Sequence, residues 1–353
     1  MKIYFNKELF FSNFTRPLII AEISGNHSGS KDNLIKAILS AKKNGADLVK
    51  IQTYEAEDLV LKDSKNFSFK TGIWKNQNLW NLYKKAETPL EWHFDLFKIA
   101  KKHKINLFST PFSNRAVDLL EKCKVNIYKI SSFELTDVKL INRVAITKKP
   151  IILSTGCCNI DELKNTIKII NRYHNKIIIM HCESGYPTKI VNAKIKKIEY
   201  LRKKFKNNLI GLSDHTKTIS SSLAASAIGV SCIEKHYNFK KHRTVDSEFS
   251  IGAKDLRQLR DMSEEIFLST KKNPNFMKEK KDSMLKRSIY VIKNIKKGEK
   301  FNFDNISTFR PKKGLCSSKF FKIIGKKSRR NLTKNLPLKM SDVVNLKNKI
   351  LKI

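Results

Sequence analysis

His215 and His236 close two otherwise apolar runs, NLIGLSDH and VSCIEKHY. If those run ends are neighbours, two imidazoles can hold a divalent cation and leave positions open for substrate and water. No HExxH and no third ligand at a fixed spacing accompanies the pair, so by itself it is a weak signal. Lys50 and Lys129 close two more runs, among hydroxyls at Ser109, Thr110, Ser131, Ser132, Ser154 and Ser213. Two ammonium groups in a ring of hydroxyl donors suit a phosphorylated or polycarboxylate anion. The competing reading is that each lysine merely pairs with Glu22 or Glu134. Glu22, Glu134, Glu183, Asp214 and Asp246 are candidate general acids or bases, and sequence does not rank them. Ser213, Asp214 and His215 do not make a hydrolase triad, because neighbouring strand side chains point to opposite faces. His93, His103, His174 and His242 fall on helical or linking segments and are expected at the surface.

The elements that must position these groups repeat. Eight β-branched runs read as strands: 18–24, 47–54, 105–112, 126–132, 150–156, 176–182, 208–215 and 230–237. Between them, segments such as 33–45, 91–103 and 220–229 carry apolar residues at three- and four-residue spacing, as helices do. Alternation of this kind predicts parallel βαβ units, and eight of them match a (β/α)8 barrel. Each run is apolar first and polar last, ending in groups such as Glu22, Gln52, Thr155, His181, Asp214 and Lys235. In a barrel those ends form one rim and one pocket. Residues 55–90 are expected as an insertion after the second strand. The barrel is placed at residues 1–270, a Lys-rich linker at 271–286, and a small β-rich domain at 287–353.

The chain has 353 residues, of which 71 are Lys or Arg and 32 are Asp or Glu, a net charge of +39. The lysines are spread along the chain among many Asn and Ile residues. That reads as compositional bias, and no nucleic-acid motif accompanies it. No apolar run is long enough to span a bilayer, and the N-terminus lacks a secretory pattern, so a cytoplasmic protein is expected. The six cysteines form no CxxC pair and no dense disulfide framework. Nothing basic adjoins Cys157 and Cys158 in sequence to lower a thiol pKa.

The segments IIAEISGNHSGS, GADLVKIQTY, FSTPF, YKISSFEL, ILSTG, HCESGYPT, IGLSDHT and IEKHY, in this order, resemble the sialic acid synthase (nonulosonate synthase) family. The later KRSIYVIKNIKKGE and FRPKKGL resemble that family's C-terminal antifreeze-like (SAF, β-clip) domain. The resemblance covers residues from about 16 to 348. Within the family, residues 72–93 and 244–251 are most similar to the pseudaminate-forming branch. The resemblance implies a metal-dependent transferase that condenses phosphoenolpyruvate with an open-chain N-acetylated sugar and water, giving a nine-carbon α-keto acid and phosphate. For that branch the sugar is 2,4-diacetamido-2,4,6-trideoxy-L-altrose.

By motif, the resemblance assigns phosphoenolpyruvate to Lys50, Thr110, Lys129, Ser132, Ser154, Ser184 and Ser213. It assigns Mn2+, or alternatively Mg2+ or Co2+, to His215 and His236. Glu22, Gln52, Glu134, Tyr186 and Asp246 would contact the sugar or the attacking water, with Glu134 or Glu22 as base. Arg310 would reach from the C-terminal domain into a partner's barrel, which implies a domain-swapped homodimer. Four residues depart from the family pattern: Glu183 in place of Thr, Cys157 and Cys158 after STG, and Asn335 in place of Gly. The alternatives are a neuraminate or legionaminate synthase using a manno-configured sugar, an aldoheptulosonate synthase, and a non-catalytic basic nucleic-acid-binding protein. The C-terminal domain and the histidine pair argue against the second.

Overall fold

The computed structural model describes residues 1–62, 68, 70, 72–240, 243–271 and 284–344. A short hairpin, β1 (Ile3–Tyr4) with β2 (Phe10–Phe11), opens the chain. The eight strands expected from sequence follow: β3 (Leu18–Glu22), β4 (Leu48–Thr53), β5 (Leu107–Pro111), β6 (Tyr128–Ile130), β7 (Ile151–Ser154), β8 (Ile177–Cys182), β9 (Leu209–Asp214) and β10 (Cys232–His236). They pair in parallel and in sequence order, and β10 closes on β3 to complete the barrel. The strands are buried on both faces, apart from half-buried Gln52 at the rim, which is why they read as apolar runs rather than alternating ones.

Two cores follow from the two-residue period. Outward residues such as Ile19, Val49 and Ile233 pack beneath the helices, while inward Leu18, Ile20, Leu48 and Phe108 fill the barrel. The N-terminal hairpin supplies Ile3, Phe5 and Phe11 to the inner cluster. Apolar side chains therefore plug the barrel at its N-terminal end, and the interior polar groups are left to the strands' C-terminal ends. Helices start promptly after several strands because capping residues stop the loops. Ser30, Ser113, Asp137 and Asn159 each accept a backbone N–H from the first turn of the helix that follows.

Among the described residues of the insertion after β4 are two short helices, Ala56–Leu59 and Leu79–Ala86. The Glu87 carboxylate accepts from Ala56 N at 2.9 Å and ties them together. Gly25, in the loop after β3, lets the second helix come close: a Cβ there would stand 2.9 Å from Ala86 Cβ.

The chain divides into two compact units, Met1–Lys271 and Lys272–Ile353. In the second, β11 (Ser288–Val291) pairs antiparallel with β12 (Ile306–Phe309) over a core that includes Phe301 and Leu338. Asn335 has φ +70°, the left-handed conformation that Asn tolerates after Gly.

Candidate active site

The period of two decides which strand-end groups meet. On β4, Lys50 and Gln52 share the inward face. Lys50 forms an ion pair with Glu22 on β3, and its Nζ donates to Thr110 Oγ1 at 3.1 Å. On β6, Lys129 lies 3.1 Å from Glu234 Oε1, and Lys50 Nζ lies 3.8 Å from the same oxygen. Ser213 Oγ also donates to it at 3.3 Å. All four charged side chains are buried, so two lysines and two glutamates balance one another inside the barrel. Burial pushes the Glu22 carboxyl up, Lys50 draws it down and Glu234 raises it, for a net rise to about 7. Lys50 is held above its ordinary value because Glu22 and Glu234 outweigh its burial.

Beside this quartet is a cradle of hydroxyls. Gly156 N donates to Ser132 Oγ at 2.9 Å. A Cβ on Gly156 would stand 2.9 Å from that oxygen and would collide with Ser184 Oγ, so only glycine leaves the space open. Ser154 Oγ is buried without a hydrogen-bond partner. An orphaned buried donor on the same inward face of the barrel as the lysines is what a bound polar ligand would satisfy.

The two imidazoles come together. His215 and His236 have ring centroids 5.3 Å apart. His215 Nδ1 contacts the Glu183 carbonyl at 3.0 Å and Cys182 Sγ at 3.8 Å. Donation to that carbonyl leaves Nε2 as the basic nitrogen. Burial, then the charges of His215, Lys50 and Lys129, hold His236 well below its ordinary pKa and keep its ring neutral. His236 Nδ1 is buried, has no hydrogen-bond partner and lies 3.8 Å from Asp246 Oδ2. Among the described residues no three His, Cys, Asp or Glu side chains gather into a cation site. Burial disfavours charge on His215 as well, but Cys182, the Glu183 carbonyl and Glu234 outweigh it and hold this ring above its ordinary pKa, so a cation here would displace its proton. The orphaned Nδ1 of neutral His236 and the Nε2 of His215, once deprotonated, fit a cation that takes its remaining ligands from substrate and water.

Above these groups opens a cavity of about 430 Å³. Its polar lining includes Gln52, Glu134, Ser184, Tyr186, His236 and Asp246. Glu134 is hydrogen-bonded by Ser131, and burial, aided by Asp137, lifts its carboxyl to about 7. Gln52 Oε1 accepts from Ser24 Oγ at 3.1 Å, and Gly25 N donates to Asp246 Oδ2 at 3.3 Å. Tyr186 packs between His215 at 4.5 Å, Phe249 at 5.0 Å and Trp74 at 5.5 Å.

Several expectations need correction. Asp214 and Lys235 sit at strand ends but face away from the pocket and pair with each other at 3.0 Å. Asp214 also accepts from Ser222 Oγ at 2.6 Å. Ser109 faces the helix layer too, 2.5 Å from Thr53 Oγ1. His181 points outward and contacts the Ala193 carbonyl at 2.8 Å. His93 is buried rather than on the surface, 2.8 Å from Thr53 Oγ1, and burial lowers its pKa to about 4. His103 is exposed, His174 is half-buried, and His242 lies outside the described residues. Glu183 turns its carboxylate toward Lys194 at 3.3 Å and Lys197 at 4.0 Å. Arg310 lies in the second unit, exposed, directly after β12.

Glu234 and Ser24 are site residues that sequence reasoning missed. The signal for Glu234 was its place two residues before His236, hence on the same face.

The sequence matches the NeuB family over residues 37–274 and the SAF domain over residues 286–344. The chain belongs to the NeuB family. Among its relatives, a pseudaminic acid synthase of Helicobacter pylori is 36% identical over 335 residues, which is 93% of this chain and 98% of that protein. A pseudaminic acid synthase of Campylobacter jejuni is 37% identical, covering 94% of this chain and 98% of that protein. An N,N'-diacetyllegionaminic acid synthase of Campylobacter jejuni is 32% identical, covering 90% and 97%. Among solved structures, the N-acetylneuraminic acid synthetase of Leptospira borgpetersenii, in complex with citrate, superposes with a TM-score of 0.70. It is 27% identical over 80% of this chain and 93% of that one. The NeuB-family barrel expected from sequence is thus the one present.

Proposed function

We propose that this protein is a pseudaminic acid synthase, joining phosphoenolpyruvate to open-chain 2,4-diacetamido-2,4,6-trideoxy-L-altrose. The observation that carries the reading is Ser184, which both crowds the Gly156 cradle and lines the cavity. An anion site and a sugar-sized chamber therefore share a wall. The pseudaminic acid synthases of two organisms support the choice of sugar, at higher identity than the legionaminate relative.

Phosphoenolpyruvate carries a phosphate and a carboxylate. These compete with Glu22 and Glu234 for the ammonium groups of Lys50 and Lys129, while Thr110, Ser132, Ser154, Ser184 and Ser213 donate hydroxyl hydrogens. C3 of the enol attacks the sugar aldehyde: the C–C bond forms as the C=O π pair moves onto the aldehyde oxygen, which takes a proton from solvent and becomes a hydroxyl. Positive character is left at C2, and water adds there. Glu134, whose carboxyl is poised near 7, takes the water proton. The tetrahedral intermediate then loses phosphate by C–O cleavage and leaves the keto group. His215 and His236 would hold a divalent cation, Mn2+ by preference, which supplies Lewis acidity toward the aldehyde oxygen when bound. Gln52, Tyr186 and Asp246 orient the sugar. Arg310 would serve the acetamido group of a sugar bound in a partner subunit's barrel within a homodimer.

Incubation with both substrates and Mn2+ should yield a keto acid carrying all carbons of both, read by mass spectrometry. Chelation, His215→Ala or His236→Ala should abolish it with the fold retained. Full turnover in excess chelator would remove the metal from the account.

A further inference from the structure

The two segments that set this chain toward the pseudaminate branch, residues 72–93 and 244–251, both line the cavity. The first supplies Trp74, Leu79, Leu82, Tyr83 and Ala86, and the second supplies Val245, Asp246 and Phe249. They are joined directly, because Trp74 Nε1 donates to the Val245 carbonyl at 3.2 Å. With Leu59, Phe112 and Phe133 they give one chamber two chemistries. Its polar groups come mainly from strand ends and the loops after them. Most of its aliphatic lining comes from the insertion helices, where Leu82 and Ala86 are buried and Leu59 and Leu79 half-buried.

We infer that this apolar lining is the specificity element of the site: it receives the methyl-bearing end of the acceptor, the C6 methyl with its neighbouring acetamido methyl, and rejects sugars hydroxylated there. The inference rests on the proposed reaction and adds which residues choose the sugar. Aliphatic side chains offer no partner to a hydroxyl. A C6 hydroxyl enclosed by Leu59, Leu79 and Leu82 would lose its water without gaining a hydrogen bond. A C6 methyl in the same place gains by leaving water. The aldehyde end is left to the polar half, where His236, Asp246 and Gln52 lie. Gly25 serves the same purpose at one remove, since its missing Cβ lets the Leu79–Ala86 helix close on the loop after β3.

The test compares two sugars that differ at one atom, 2,4-diacetamido-2,4,6-trideoxy-L-altrose and its 6-hydroxy counterpart, by kcat/KM at saturating phosphoenolpyruvate. The wild type should prefer the deoxy sugar by ~10- to 100-fold, the range an apolar pocket gives against an added hydroxyl. Leu59→Asn and Leu79→Asn, at half-buried positions, should each narrow that ratio by ~3-fold or more, chiefly through KM, because a placed amide supplies the missing partner. The KM for phosphoenolpyruvate should stay unchanged. A wild type that uses both sugars equally, or variants that keep the wild-type ratio, would overturn the inference while leaving the reaction standing. Phosphate release with neither sugar would overturn the reaction itself, and the inference with it.

Discussion

Lys129 Nζ and Glu234 Oε1 lie 3.1 Å apart in the barrel interior, with both side chains buried. In the proposed reaction, the lysine assigned to the anion is therefore already neutralised before the anion arrives. The barrel can therefore hold two ammonium groups away from water without substrate, and the anion displaces an internal partner rather than solvent alone.

Replacing Glu234 by Gln leaves a buried lysine without its counter-charge. Breaking a buried pair on one side costs about 3–5 kcal/mol, so the variant should melt well below the wild type. Inorganic phosphate should then raise the Tm of the variant more than that of the wild type. Equal shifts in both proteins would contradict the exchange of partners. In the reverse substitution, Lys129→Ala should raise the KM for phosphoenolpyruvate far more than that for the sugar.

Glu134 gives a pH dependence. Its carboxyl is raised to about 7 by burial, and a base acts only when deprotonated. Activity should therefore fall as pH drops through about 7, instead of near the ordinary carboxyl range. Glu134→Gln should lose ~100-fold or more in kcat and lose that acid limb in its residual rate. A wild-type profile that is flat down to pH 5 would assign the water proton to another group.

Asp214 and Lys235 pair on the outward faces of the strands that carry His215 and His236. Lys235 also donates to Thr216, and Asp214 accepts from Thr216 N at 2.9 Å. The backbone around His215 is thus anchored from behind. Lys235→Met should destabilise the fold by about 3–5 kcal/mol, measured by chemical denaturation. A change within error would mean the pair is not coupled to the fold.

Arg310 tests the assembly. Arg310→Ala should raise the KM for the sugar with little change for phosphoenolpyruvate. Mixing this variant with a His215→Ala variant should restore part of the activity, because each subunit would supply what the other lacks. No recovery on mixing would argue against exchange of domains between subunits.

The barrel was legible because each strand carries its own signature, an apolar run ending in polar groups within a few residues. The N-terminal hairpin was not. Its strands have two residues each, and Phe5 packs at 6.4 Å against Phe108, a contact no local pattern announces. At the site, Lys50, Lys129 and Ser213 do face the barrel interior, while Asp214, Lys235 and Ser109 were credited to the pocket by being polar and terminal. Alternation along the strand puts them on the other face, and the same rule would have found Glu234. His93 was expected at the surface because it falls on a helical segment, whereas a hydroxyl from β4 holds it inside. The apolar lining of the cavity escaped notice because the insertion has no strand period and its leucines face a hollow rather than a core.

The central claim is tested most directly by phosphate release from phosphoenolpyruvate with Mn2+, offering three sugars separately: 2,4-diacetamido-2,4,6-trideoxy-L-altrose, 2,4-diacetamido-2,4,6-trideoxymannose and N-acetylmannosamine. The account predicts release with the altrose derivative and little with the other two. Preferred turnover of either manno-configured sugar would contradict the pseudaminate assignment, and no release with any of the three from folded, Mn2+-loaded protein would contradict the condensation itself.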